Sequence, residues 1–263
     1  MLPVYKAQSF NRILDGGSTY PWLILVKVDG IDTPYVVKIY PKDHVEKTHC
    51  VAKDVYCSIL AKEFDLDTPK PALIEFPDYF TDSLDDSIRD RLIGKDTRIK
   101  FGCAFIEGAY QYDDTLHRSN LEKYSIETIY AFDNLVYNVD RKNEKSNILL
   151  KGTKAYLIDH ELTLSVNIKT ISDFQNNIWN YNNKKHIFYP FLKHSRKEDK
   201  QTFFEDFKYY LGIVNFNILD SYSKQLISYN HHTKDDYLIL NEYLCNMKLN
   251  TAKFVKLLIG HLQ

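Results

Sequence analysis

The chain has few cysteines, and none of them lies in a C-x-x-C pair. A zinc ribbon needs such pairs and a disulfide-stapled domain needs a higher cysteine density, so the sequence argues against both classes. We expect free thiols, as is usual in a reducing compartment. The cysteines are Cys50, Cys57, Cys103 and Cys245.

Long apolar runs are also missing. The run WLILV at 22–26 is far too short to span a bilayer, and the first residues lack the charged and apolar regions of a signal peptide. We therefore expect a cytoplasmic protein that does not enter a membrane.

Neither sign of charge is in excess, with 34 basic and 35 acidic residues. No global field therefore favours a nucleic acid as partner. The run 182–200 mixes basic and aromatic residues, which is one signature of nucleic-acid contact, but such runs are more often solvated surface. We expect no nucleic-acid partner.

Alternating apolar residues dominate the first third of the chain. Two such runs between 20 and 40 flank DGIDTP and predict a hairpin. Helical spacing follows at 45–65, and PALIEF and RIKFGCAFIEG predict further strands. The segment 107–112 is a connector, and we place a domain boundary there, with a first lobe at 1–108 and a second at 109–263.

The second part is mainly helical. SIETIYAFDNLVYNVD carries its apolar residues on one face, which predicts a buried helix. SNILL and KAYLID are short apolar strands separated by KGT, so 147–159 is interpreted as a hairpin whose polar ends face the same way. The sequence predicts an α+β fold with a β-rich first lobe and a mainly α-helical second lobe around this hairpin.

Three polar residues stand at the ends of these segments. Asp140 heads a loop, Asn147 closes it, and Asp159 ends the next strand. Phosphoryl transfer needs a lysine on the phosphates, a metal that bridges them and a carboxylate that orients the attacking hydroxyl. Mg²⁺ prefers oxygen ligands and takes only one or two carboxylates. An acid, an amide and a second acid follow here in the order that kinase-type enzymes use.

Further candidates lie upstream. Gly16, Gly17 and Ser18 precede the first predicted strand, where glycines let backbone N–H groups approach phosphate oxygens. Lys38 lies in the apolar strand YVVKIY and needs an anionic partner or a ligand. Asp54, on the following helix, is the candidate partner.

In order and spacing, these segments resemble the HipA-like kinases of bacteria. The resemblance covers residues 10–165 and rests on GGSTYPWLILVKVDGIDTPYVVKIY, LAKEFDLDTPKPALIEF, FDNLVYNVDRKNEKSNILL and YLIDHELTL. It implies a bilobal fold related to protein kinases and phosphoinositide kinases, with a nucleotide-binding first lobe and the catalytic hairpin in the second.

The resemblance also implies ATP and Mg²⁺ as cofactors. Asp140 is then the catalytic base, and Asn147 and Asp159 are the Mg²⁺ ligands. Lys38, paired with Asp54, holds the phosphates. The remaining cofactor-binding residues are Gly16, Gly17 and Ser18 in a phosphate loop, and Phe105, Ile106 and Glu107 in a hinge that meets adenine through its backbone.

Two positions depart from the family pattern. Asp54 stands where related sequences carry Glu, and Glu161 follows the I-D-H where Gly is frequent. The neighbouring residues Arg141, His160 and Asn138 are better interpreted as paired, packed or bracing groups than as catalytic ones.

Three functions are compatible with these residues. The first is a Ser/Thr protein kinase that phosphorylates another protein or itself, in a toxin–antitoxin or defence setting with a cognate antitoxin-like partner. The second is a nucleotide-binding pseudokinase that acts as a partner-recognition module. The third is a small-molecule or lipid kinase, which uses the same phosphate machinery.

Overall fold

The computed structural model describes residues 1–15, 20–113, 116, 120–179 and 184–263. Among the described residues, five strands lie within 4–104 and eight of the twelve α-helices lie beyond residue 125, so the predicted combination of strands and helices is confirmed. Within the described ranges, no helix combines the length and the apolar character needed to cross a membrane.

The strands form a barrel and a smaller sheet. In chain order they are β1 (Val4–Ile13), β2 (Trp22–Val28), β3 (Ile31–Val37), β4 (Pro71–Glu75), β5 (Lys100–Ala104), β6 (Tyr110–Gln111), β7 (Ile148–Lys151) and β8 (Lys154–Leu157). The barrel closes in the order β1–β2–β3–β5–β4, and the smaller sheet has the order β6–β7–β8.

The predicted β2–β3 hairpin is confirmed, but its turn is only Asp29 and Gly30, because the rest of DGIDTP pairs with β2 as part of β3. Asp29 and Gly30 have φ values of 50° and 83°, the signs that a two-residue type I′ turn has at both central positions. Trp22 at the start of β2 pairs with Val37 at the end of β3. This register sets where Lys38 leaves the barrel.

Strand β1 is not predicted by the sequence pattern. Ala7 is its one buried residue, so the strand shows no alternation of apolar side chains. It pairs antiparallel with β2 and parallel with β4. The Gln225 side chain holds the backbone just before it, accepting from Leu2 N at 2.8 Å and donating to Leu2 O at 2.9 Å.

Helices occur in both parts of the chain and are the main regular elements of the second. In chain order they are α1 (Lys42–Thr48), α2 (Cys50–Glu63), α3 (Asp78–Asp82), α4 (Asp86–Arg89), α5 (Ile126–Leu135), α6 (Ile168–Gln175), α7 (Tyr189–Lys193), α8 (Lys197–Lys200), α9 (Glu205–Ile213), α10 (Leu219–Ser228), α11 (Lys234–Leu249) and α12 (Thr251–Leu262). The single helix predicted over 45–65 is instead two helices, because His49 adopts a left-handed conformation with φ of 52° and ends α1.

The larger core cluster joins helices from both sides of residue 108. The ring of Phe64, just after α2, lies 5.6 Å from Phe132 in α5 and 5.1 Å from Phe207 in α9. A smaller cluster fills the barrel and includes Trp22 and Ile74. Helix α2 therefore packs on helices of the second part, and the domain division at 108 stays a prediction.

The β7–β8 hairpin, predicted over 147–159, is confirmed. Gly152 in its turn has φ of 61°. Ile158 N donates to Asn147 O at 3.1 Å, which extends the pairing beyond the two strands. Asn147 and Asp159 therefore lie at the same end of the hairpin.

Gly102 provides a stability test of the barrel. An added Cβ would lie 2.6 Å from Ile74 Cγ1, so we expect Gly102→Ala to lower the free energy of unfolding by about 1–3 kcal/mol through overpacking. Gly212→Ala in α9 is the control, because no atom lies within 4 Å of its added Cβ and helix propensity should stabilise the chain by up to about 1 kcal/mol. Urea denaturation measures both changes. Equal effects at the two positions would contradict the close packing of β5 on β4.

Candidate active site

The Lys38 ammonium links the end of β3 to Asp54 on α2 and to Asp159 after β8. Its backbone N donates to Phe101 O at 3.2 Å, which fixes the residue beyond the end of β3. Its Nζ lies 2.8 Å from Asp54 Oδ2 and 2.7 Å from Asp159 Oδ1. Burial by itself would lower the pKa of Lys38, but the two carboxylates outweigh burial and raise it above its ordinary value. Lys38 is therefore an ammonium, and the predicted pair with Asp54 is present.

Asp54 is fully buried on α2 and has several donors. Tyr40 OH donates to its Oδ2 at 2.8 Å, and the backbone N of His160 donates to its Oδ1 at 2.9 Å. These bonds, together with Lys38, satisfy a carboxylate that would otherwise be costly to bury. The shorter arm of Asp, compared with the Glu of related sequences, is sufficient to reach the lysine here.

Asp159 follows β8 and has an ammonium on each oxygen. Oδ1 contacts Lys38, and Oδ2 lies 2.8 Å from Lys145 Nζ. Burial would raise the pKa of Asp159, but Lys38 and Lys145 outweigh burial and hold it well below its ordinary value. Its φ of 60° lies in the left-handed region, a conformation that non-glycine residues adopt more often at functional sites and that Asp tolerates.

Asp140 and Asn147 meet across the loop that they enclose. Asn147 Nδ2 donates to Asp140 Oδ2 at 3.2 Å, and Lys145 Nζ lies 2.7 Å from the same oxygen. Asn147 has φ of 51°, which an asparagine tolerates better than most residues. Asn138 Oδ1 accepts from Asp140 N at 3.0 Å, so Asn138 braces the loop as the sequence suggests.

Arg141 is a buried structural group. It donates to Asp133 from Nε and to the carbonyl oxygen of Asn147 from Nη1. Asp133 also accepts from Asn138 Nδ2 at 2.8 Å and contacts His186 Nε2 at 2.8 Å. Burial would raise the pKa of Asp133, but the charge of Arg141 and the contact with His186 outweigh burial and lower it to about 2. This brace shapes the loop between Asp140 and Asn147.

His160 is buried beside this network and is not a proton donor. Burial and the nearby charge of Arg141 lower the pKa of His160 to about 3, so the ring is neutral near pH 7. Its Nε2 has no hydrogen-bond partner among the described residues. Its backbone N, which donates to Asp54, is the part that contacts the charged network.

A cavity of about 270 Å³ opens on these charges. Such a volume is near the lower end of the range for small-molecule sites. One wall is polar and contains Lys38, Lys145, Asn147 and Asp159. The apolar lining includes Leu14, Val36, Phe101, Ala104, Leu149 and Leu157. Apolar residues together with two ammonium groups in one lining suit a molecule that is apolar at one end and anionic at the other.

The predicted hinge contributes only in part. Phe105 and Ile106 line the cavity, whereas Glu107 is exposed and is not among the described residues that line it. The predicted phosphate loop, Gly16, Gly17 and Ser18, lies outside the described residues. Leu14 and Asp15, which lead into that loop, line the cavity.

Comparison with known proteins is consistent with this geometry. The sequence profile of the HipA-like kinases matches residues 9–233. The chain belongs to the HipA-like kinase family. Its fold is similar to that of the Helicobacter pylori proinflammatory kinase CtkA, with a TM-score of 0.54 and 15% sequence identity over 97% of this chain and 95% of that one. None of the curated proteins matches the chain in sequence.

The oxygen donors of this HipA-like kinase fit one Mg²⁺ ion. Asp159 and Asn147 lie at the same end of the hairpin, and both line the cavity. Mg²⁺ at a nucleotide usually takes one or two carboxylates and leaves its other positions to phosphates and water. A site with one acid and one carboxamide open to a cavity matches that preference.

Lys145 is the main member of the site that sequence reasoning misses. Its Nζ contacts both Asp140 and Asp159. The signal that identifies it is spacing, because Lys145 stands five residues after Asp140, where the H-R-D-x-x-x-x-N pattern of protein kinases has its asparagine. Asp133 is also missed, because its role lies in its contacts with Arg141 and with the distant His186, which the sequence pattern does not show.

The buried ion pair between Asp133 and Arg141 is testable by removal of its carboxylate. We expect Asp133→Ala to lower the free energy of unfolding by about 3–5 kcal/mol, because it leaves the buried Arg141 without its carboxylate. Asp32→Ala is the matched control, since its pair with Lys27 is about half exposed and should contribute less than about 1 kcal/mol. Chemical denaturation of both variants measures the difference. Similar losses would mean that the Arg141 pair is no stronger than a surface pair.

The lowered pKa of Asp133 predicts that the free energy of unfolding depends on pH. The pKa of Asp133 falls from its ordinary value of 3.8 to about 2 on folding. Its stabilisation is therefore fully present above about pH 4 and is lost as the pH falls through about 2. The difference in unfolding free energy between the wild type and Asp133→Asn should shrink between pH 5 and pH 2, as measured by urea denaturation. A constant difference would contradict an ionised buried Asp133.

Proposed function

We propose that the chain is an ATP- and Mg²⁺-dependent Ser/Thr protein kinase. One observation carries the proposal, namely that Lys38, Asn147 and Asp159 line one largely apolar cavity, while Asp140 is joined to them through Asn147 and Lys145. These groups come from the barrel, the loop and the hairpin, over a span of more than one hundred residues. Membership of the HipA-like kinase family supports the same reading.

Each residue has a chemical role in this proposal. Lys38, held by Asp54, would contact the phosphates of the nucleotide. Asp159 and Asn147 would hold Mg²⁺, which supplies positive charge for the phosphate oxygens. Asp140 would orient the acceptor hydroxyl and take its proton. The backbone bond from Asn138 and the contact with Asn147 support this role, because they fix the direction of the carboxylate.

The apolar part of the cavity suits adenine. Val36, Phe101 and Leu157 line it from different strands, so a flat ring would contact apolar groups on more than one side. Phe105 and Ile106 lie at its edge, where backbone groups would give specificity.

The family resemblance supports a proposal for the group that accepts the phosphoryl group. We propose a serine or threonine hydroxyl on another protein or on this chain itself. A toxin–antitoxin or defence setting, with an antitoxin-like partner, belongs to the same proposal.

A second function is favoured by one observation. The Lys145 ammonium lies against both Asp140 and Asp159, the acids that turnover requires. A nucleotide-binding pseudokinase would have such a site if the lysine never left it. Nucleotide binding without phosphoryl transfer would select this second function over the first.

The catalytic role of Asp140 is directly testable. We expect Asp140→Asn to lower phosphotransfer about 10²- to 10⁴-fold, because the amide cannot accept the hydroxyl proton. ATP affinity should remain within about threefold of the wild type, since Asp140 is not assigned to the nucleotide. Intact mass after incubation with ATP and Mg²⁺ measures transfer to the chain itself, and calorimetry measures ATP binding.

Asp32→Asn provides the control for this experiment, because it removes an exposed charge of the same type away from the cavity. It should leave both measurements unchanged. Wild-type transfer by Asp140→Asn would show that another group is the base.

A further inference from the structure

Lys145 lies in the loop between Asp140 and Asn147, at the spacing from Asp140 where protein kinases have an asparagine. In protein kinases the asparagine of H-R-D-x-x-x-x-N stands five residues after the aspartate and holds the second of two Mg²⁺ ions. In this chain the fifth residue after Asp140 is Lys145, and Asn147 comes two residues later. The loop is therefore two residues longer than in that pattern, with Asn147 as its asparagine, and Lys145 is an additional positive charge within the loop.

The Lys145 side chain lies between two carboxylates of the site. Its Nζ is 2.7 Å from Asp140 Oδ2 and 2.8 Å from Asp159 Oδ2, and it lines the cavity. The ammonium has three donors, and the two carboxylates use two of them. One N–H is then left for a third acceptor such as a phosphate oxygen.

The backbone around Lys145 is held by several hydrogen bonds. Lys145 N donates to Lys142 O at 3.0 Å, and Lys142 N donates to Lys145 O at 3.1 Å, which closes the loop. The next residue, Ser146, donates to Tyr112 O at 2.7 Å. These bonds hold the backbone of the loop beside the cavity, and they do not involve the carboxylates.

We propose that Lys145 is a built-in cation that replaces the second metal ion of the site. The chain would then bind one divalent ion, at Asp159 and Asn147, and Lys145 would supply the other positive charge to the phosphates. The statement about nucleotide rests on the proposed kinase function. The competition between Lys145 and a divalent ion does not, because it concerns Asp140 and Asp159 alone.

Titration with Mn²⁺ alone tests this competition. Free Mn²⁺ is measured by electron paramagnetic resonance for the wild type, Lys145→Met and Lys145→Asn, without nucleotide. Removal of a positive charge from between two carboxylates should tighten Mn²⁺ binding at least about tenfold in both variants. Lys151→Met removes an exposed lysine of β7 and should change the affinity by less than about twofold.

A second titration counts the ions in the presence of a non-hydrolysable ATP analogue. The wild type should bind one Mn²⁺ per chain, whereas Lys145→Asn, which removes the ammonium between Asp140 and Asp159, should bind two. Circular dichroism and thermal melting establish that the variants are folded.

Two outcomes would overturn the proposal. One is an unchanged or weaker Mn²⁺ affinity in Lys145→Met, and the other is two Mn²⁺ ions in the nucleotide-bound wild type. Failure of the kinase proposal has a different signature, namely a wild type that binds no nucleotide and gains no phosphoryl group. The first titration contains no nucleotide, so it is interpretable in either case.

Discussion

The alternation of ammonium and carboxylate groups from Asp54 to Asp140 is the constraint on which the site depends. Lys38 joins Asp54 to Asp159, and Lys145 joins Asp159 to Asp140. The members come from the barrel, from α2, from the end of β8 and from the loop before β7. Because buried charges are costly without partners, these elements can pack only in an arrangement that brings the charges together.

The backbone near the hairpin is adapted to this requirement. Asn147 and Asp159 both adopt left-handed conformations, which turn the chain at each end of the hairpin. The Arg141 brace holds the Asn147 carbonyl group from within the core. The cost of the unusual conformations is therefore offset by hydrogen bonds that would be lost in a relaxed loop.

The parts of the fold that local patterns specify were predictable. The β7–β8 hairpin, helix α5 and the turn at Asp29 follow from alternation, helical spacing and turn chemistry. The pair between Lys38 and Asp54 follows from the cost of a lysine in an apolar strand. In each case the information lies within a few residues or in one unsatisfied charge.

The remaining features depend on contacts that are distant in sequence. Strand β1 has one buried residue, because it lies along the barrel with most of its side chains outside the core. The break at His49 has no glycine or proline to mark it. The role of Lys145 depends on the reach of a flexible side chain towards two carboxylates, and periodicity in the sequence does not describe such reach. Only its spacing from Asp140 marks the position.

The closure of the barrel has a consequence for the order of folding. Strand β1 pairs in parallel with β4, and the chain just before it is held by Gln225, 223 residues away from Leu2. Forming contacts of such long sequence separation costs loop-closure entropy before the contacts contribute stability. Strand β1 is therefore expected to become ordered late, and its edges remain open to other strands until α10 has formed.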